Sequence, residues 1–346
     1  MLGRLPTLRV AAFPAQGQVM QVAAAESVSP QQPGDCRPSM PLAVCIAALA
    51  AGLIAAATTQ LRFREMTLAH IGASRVMPAV VLFLLRSVMA ITVFFSLRSS
   101  IMDPEPHTFV LMIHPESKLV PRTVSFKGLD RLSTFTLQCW ALQLLYFCSS
   151  AAASAAVLAG VDRAPSLLIR GISVLYEVCV ATSLLVTTVV TFILLPARIR
   201  AKDWDATRRM LGWRPQLMHN ANTLFVVTEL LLNAIPITAS HFVFAALFGV
   251  WYVILSWVWL QKTGIVYYSF LDPTLPAPKA IAFHLGLVAV LAGFFALGAL
   301  ADQAAAFCPL LVLAPILYAV AASIMWTDFI RGRPKEIQGR DGKGGE

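Results

Sequence analysis

His219-Asn220-Ala221-Asn222-Thr223-Leu224-Phe225-Val226-Val227-Thr228-Glu229-Leu230-Leu231-Leu232-Asn233 is an apolar stretch that carries a polar stripe. At about 100° per residue, His219, Asn222, Glu229 and Asn233 fall within an arc of roughly 80° on a helix, so they share one face. A rise of about 1.5 Å per residue spreads them over roughly 21 Å, most of the hydrocarbon thickness of a bilayer. Lipid does not tolerate such a face. It must look into protein or a cavity, and an ionisable group at that depth marks a candidate functional site.

The rest of the chain supports the membrane setting. Of its 346 residues 58% are hydrophobic and only 13% charged, too little charge for a soluble domain. The apolar residues come in blocks of about 20, the length a helix needs to cross the hydrocarbon core. Such blocks lie near 41–60, 77–98, 134–160, 167–196, 219–238, 242–261, 281–301 and 307–326. The expected fold is therefore all-α, a polytopic membrane helix bundle of about eight transmembrane helices, with six or seven also compatible. Pro236 could make 219–261 a tight hairpin, and Pro309 and Pro315 interrupt the last block.

Eight spans put both termini on one side, together with the loops 99–133, 197–218 and 262–280. That side carries 20 of the 27 Lys and Arg residues, against five on the other. The positive-inside rule then places the termini and these loops on the cytoplasm-like face. The membrane is an endomembrane or the plasma membrane on this reading, with an organelle membrane as an alternative. Arg4 and Arg9 with no acid before Glu26 resemble a transit peptide, and a basic disordered arm has the same pattern. Residues 1–40 read as a disordered tail, 41–326 as the transmembrane domain and 327–346 as a basic disordered tail.

The formal charge of +9 is spread between apolar blocks, without a basic groove or interleaved aromatics. It points to topology rather than to a nucleic-acid partner. The six cysteines form no CxxC pair, and the histidines no HxxH or HxxxH pair. Neither a metal nor another cofactor is expected. P-loop, GxGxxG and GxSxG signatures are also absent from the sequence. No internal repeat is evident, which weakens a transporter built on inverted repeats.

Several polar residues inside apolar blocks need partners. On the third block Thr136, Cys139 and Gln143 fall within about 60° of one another. Thr136 opens that block as His219 opens the fifth, so both are expected one turn into the membrane from the cytoplasm-like face. A hydroxyl becomes a nucleophile only when a base within reach takes its proton. Equally, a Thr in a membrane helix usually bonds its own i−4 carbonyl, and a helix-end His or Asn caps or snorkels. Arg86, Glu177 and Glu229 are three charges at depth, each costing roughly 2.5 to 3.5 kcal/mol unpaired, so Arg86 is expected to brace against Glu177 or Glu229. After the sixth block, Gly264 permits a sharp exit, and Tyr267, Tyr268 and Phe270 read as interfacial aromatics ahead of Asp272. On the same side as Thr136 and His219, this loop is a candidate lid.

At these residues the chain resembles the family of FAR-17a-type, androgen-induced and rolling-stone-like multi-pass membrane proteins. Three segments carry the likeness: Thr136-Leu-Gln-Cys-Trp-Ala-Leu-Gln-Leu-Leu-Tyr-Phe147; His219-x-x-Asn222-x-x-Phe225-x-x-x-Glu229-x-x-Leu232-Asn233; and Tyr252-Val-Ile-Leu-Ser-Trp257 followed by Thr263-Gly264 and Tyr268-Ser-Phe-Leu-Asp272. They span roughly residues 125–275. Ser269 stands where the family usually has Pro.

The resemblance implies hydrolysis of fatty acid esters of hydroxy fatty acids in one branch, by an intramembrane Thr with a His partner. Carried over, Thr136 is the nucleophile, with Thr134 as the alternative if the register slips by two. The branch's catalytic His falls on Asn222, which cannot act as a general base at neutral pH, so His219 would have to substitute.

Two classes of function follow. One is a lipid-binding or structural membrane protein whose partner is membrane lipid, with protein partners unknown. The other is a lipid-ester hydrolase acting on a fatty acyl ester, with Thr136 attacking, His219 assisting and Asn222 donating to the oxyanion. A transporter is the third possibility.

Overall fold

The computed structural model describes residues 36–59, 65–111, 113–121, 123–200 and 202–307, all within the compact unit Pro33–Glu346. The chain is almost entirely helical. In order come α1 (Met40–Thr59), the short α2 (Leu68–Gly72), α3 (Ala79–Met102), strands β1 (His107–Val110) and β2 (Thr123–Phe126), α4 (Phe135–Leu158) and α5 (Ser166–Val189). A widened turn (Val190–Leu194) then leads into α6 (Leu195–Arg200), followed by α7 (Trp204–Met210) and α8 (Trp213–Gln216). A second widened turn (Leu217–Ala221) leads into α9 (Asn222–Leu232), α10 (Phe242–Thr263) and α11 (Ala277–Phe307).

Six of these helices, counting Ser166–Arg200 as one, are long and apolar enough to cross a membrane. The protein is thus a multi-pass helical membrane bundle. Apolar side chains on α3 spaced three or four residues apart, Leu84, Val88, Ile91 and Phe95, are all exposed, the stripe a helix turns toward lipid. Opposite them Leu82, Met89, Val93 and Leu97 are buried.

One expectation is corrected and another lies outside the described residues. The helix expected over 219–238 ends at Leu232, because Asn233 leaves the helical backbone and its side chain accepts the Ile235 N–H at 3.0 Å, while Pro236 two residues later brings no N–H. Residues 213–232 are helical throughout but too polar at their start to join the six. The span expected at 307–326 lies almost wholly outside the described residues. The loop 99–133 contains an antiparallel hairpin pairing His107 with Phe126 and Val110 with Thr123.

The loops 99–133, 197–218 and 262–280 meet through side-chain contacts. Arg131 and Arg214 both reach Asp103, Ser133 meets Tyr267 at 2.6 Å and Ser117 bonds Asp272. These contacts gather the basic loops at one end. At the other, Ser74 bridges Asn233, Arg75 pairs with Asp302 at 2.9 Å, and Gly72 lies against α4. A Cβ on Gly72 would come within 2.7 Å of the Ala153 carbonyl oxygen.

Between the two ends, the fully buried Arg86 resolves the open pairing in favour of Glu229. Its Nε lies 2.9 Å from Glu229 Oε1, and its Nη2 bonds the same oxygen. Nη1 donates to the Ile71 carbonyl at 2.7 Å and to Ser154 Oγ at 2.8 Å. Tyr146 Oη adds a third donor to Glu229 Oε1 at 2.8 Å. Glu177 is engaged elsewhere: its carboxylate accepts the Thr238 N–H at 2.7 Å and lies 2.7 Å from His241 Nδ1. One buried carboxylate therefore ties together α3, α4 and α9, while another holds the non-helical link before α10. The Arg86–Glu229 pair compensates two charges that would each be costly alone in this environment.

Candidate functional site

A cavity of about 700 Å³ opens at the basic end of the bundle. Its wall is apolar, built from Leu185, Val186, Val189 and Val190 of α5 and its widened turn, Met218 before α9, and Leu287 of α11. The two widened turns, Val190–Leu194 and Leu217–Ala221, both contribute lining residues. The first precedes Pro196, whose ring would clash with the carbonyl four residues back in a regular α-turn, and local widening is a common relief. Pro215 sits in the first turn of α8, where its missing N–H costs nothing. The second wide turn carries His219, and such turns recur at functional sites.

Thr136 and His219, 83 positions apart in sequence, line this one cavity, and so do Tyr268 and Phe270. Thr136 stands in the first turn of α4 and lines the same cavity as Tyr268. Burial pushes the pKa of the Tyr268 phenol up, and the nearby Thr136 offsets part of the rise. Tyr268 therefore remains a neutral hydroxyl at any physiological pH. The Tyr268 and Phe270 rings stack at 5.4 Å and close the cavity from the loop side. His219 Nδ1 is buried without a hydrogen-bond partner. Thr134 also lines the cavity, but it is the residue before α4 and its hydroxyl turns back to the Arg131 carbonyl at 2.9 Å.

The remaining sequence candidates sit behind this wall. Asn222 is not a lining residue. It is buried, its Oδ1 accepting the Thr223 N–H at 2.6 Å with the Thr187 hydroxyl at 2.9 Å. Gln143 donates to Ser183 Oγ at 2.5 Å and reaches the Asn222 carbonyl at 3.4 Å. Together they form a polar joint between α4, α5 and α9. Glu229 and Asn233 lie deeper, in the brace and at the end of α9. Gly264 ends α10 with φ 68°, a left-handed conformation suited to glycine. Asp272 is buried and latches the loop rather than lining the cavity, its Oδ1 accepting the Thr274 N–H and Oγ1–H at 2.8 and 2.7 Å.

The rim is what the sequence did not disclose. Asp103, Glu105, His107, Arg131, Arg209 and Arg214 all border the mouth. Arg214, followed by the Glu105 N–H, holds the Asp103 carboxyl below the usual carboxylate range. His107 keeps contact with solvent, yet the surrounding protein, with Arg131 and Arg209 nearby, holds its imidazole below the ordinary value. These charges come from the two long basic loops, which are contiguous only once folded. Among the described residues no group of three His, Cys, Asp or Glu side chains is arranged to hold a metal ion.

Comparison with known protein families, with curated proteins and with solved structures returns no match. The class therefore rests on the fold and site themselves: a multi-pass membrane helix bundle with a cavity of ligand size at its basic end, apolar in its wall and polar at its mouth.

Proposed function

We propose that this membrane protein binds a lipid acyl chain in the cavity at its basic end. The observation that carries the reading is a cavity within the size range of small-molecule sites, with an aliphatic wall, Thr136, His219 and Tyr268 among its polar groups, and charged side chains at its mouth. Apolar walls favour a hydrocarbon chain, and the polar groups offer a carbonyl or hydroxyl both donors and an acceptor. Lipids extracted from the purified protein and identified by mass spectrometry test this. A tightly held acyl lipid is expected in the wild type, and its loss in Val189→Trp, which fills the cavity from α5. A protein that carries no lipid beyond bulk composition refutes it.

A second reading is favoured by the convergence of Thr136 and His219 on the same cavity: hydrolysis of a lipid ester, as the resemblance to the androgen-induced branch implies. Thr136 Oγ1 would attack the ester carbonyl carbon as His219 takes its proton. The alcohol would leave with that proton, and water would release the fatty acid from the acyl-threonine. Asn222 does not reach the cavity, so oxyanion donors would come from the free N–H groups in the first turn of α4. Release of fatty acid by the wild type and not by Thr136→Ala, with lipid retention unchanged, supports hydrolysis. Retention without release in both leaves binding as the function.

A further inference from the structure

We propose that the connection between α6 and α8 is a docking strip for the headgroups of anionic phospholipids at the basic face of the membrane. Residues 198–214 carry six Lys and Arg against two Asp. Within this strip Asp203 is committed to particular partners. Asp203 pairs with Arg198 at 2.9 Å and accepts the Ala206 N–H at 3.1 Å to cap α7. Arg214 is taken by Asp103 and lies over the Trp213 ring at 5.4 Å. Arg200, Lys202 and Arg209 are exposed and have no carboxylate partner among the described residues.

Depth places these cations where headgroups are. The helix Ser166–Arg200 has 35 residues, about 52 Å of rise, so it exceeds a hydrocarbon core of about 30 Å and its far end emerges at the interface. Trp213 is 60% exposed, as an aromatic anchored among headgroups would be. Charge complementarity then selects the occupant. A cation near a membrane surface contributes about 1 kcal/mol toward anionic lipid, roughly fivefold in association, and screening by salt removes it. A role in topology alone requires the charges during insertion but predicts no lipid preference afterwards. Because Arg209 also borders the cavity, a headgroup held here sits at the mouth.

The test uses the full chain reconstituted in phosphatidylcholine bilayers, with spin-labelled phosphatidylserine or phosphatidylcholine reporting the motionally restricted lipid fraction. The wild type is expected to restrict phosphatidylserine several-fold more strongly at low salt. That preference should fall toward unity in high salt and in Arg200→Gln/Lys202→Gln. Both positions lie outside the cavity wall, so the double variant should keep its helix content and its cavity-bound lipid. Equal restriction of the two lipids by the wild type, or an unchanged preference in the correctly folded double variant, overturns the proposal whether or not the cavity binds an acyl chain.

Discussion

Replacing Glu229 by leucine isolates the energetics of the central brace. In the wild type its Oε1 receives Arg86 Nε, Arg86 Nη2 and Tyr146 Oη, all buried. Leucine removes the only carboxylate bonded to Arg86 among the described residues and leaves a guanidinium, fully shielded from solvent, with the Ile71 and Ser150 carbonyls and Ser154 Oγ. Breaking one side of a buried ion pair costs about 3–5 kcal/mol. Arg86→Met alone leaves the carboxylate stranded and should cost a similar amount. The double variant restores an apolar contact, losing only the interhelical hydrogen bonds, each worth about 0.6 kcal/mol and at most about 1.7 in a membrane bundle. The two single losses therefore should not add, and a coupling of about 2 kcal/mol or more is expected from the cycle. Reversible unfolding in mixed micelles, followed by circular dichroism, measures all four proteins. A coupling under about 0.5 kcal/mol would show that the pair does not act as a unit and would refute the brace.

Three other outcomes follow. Gly72→Ala should destabilise by about 1–3 kcal/mol, because the new methyl meets the Ala153 backbone carbonyl, which cannot swing aside; Gly171→Ala, with open space around it, serves as the matched control in the same unfolding assay. Asn222→Leu should cost about 1–3 kcal/mol through the Thr187 and Thr223 contacts while leaving cavity lipid bound, whereas lipid loss in a folded variant would place Asn222 in the site. The pH dependence has a definite sign: His107 titrates below its ordinary value when folded, so its contribution is complete above about pH 6.5 and is lost as pH falls through the folded value. Asp103, likewise depressed, loses its contribution only below about pH 4. Melting temperatures at pH 7.5 and 5 should therefore differ in the wild type and differ less in His107→Gln.

The membrane bundle was legible because block length and charge bias are set by the bilayer itself, and α3, α4 and α10 follow the apolar blocks closely. The stripe on α9 was legible for the same reason: Glu229 cannot sit in lipid, and its depth required a partner. Which partner was not. Arg86 meets Glu229 rather than Glu177 because of how α3 lies against α4, and no periodicity encodes that. Thr136 and His219 could be matched in depth from topology, and they do share a cavity. Asn222, only one turn from His219, turns away because the widened turn Leu217–Ala221 shifts the register, so an ideal helical wheel put it on the wrong side. The rim of Arg131, Arg209 and Arg214 was invisible, since loops separated by some 80 residues come together only around Asp103.

Whether the cavity holds an acyl chain is read from mass spectrometry of lipid extracted from purified wild type and Val189→Trp, normalised to protein. Near-stoichiometric acyl lipid in the wild type and its absence from a folded Val189→Trp are predicted; equal lipid in both would contradict acyl-chain binding in the cavity.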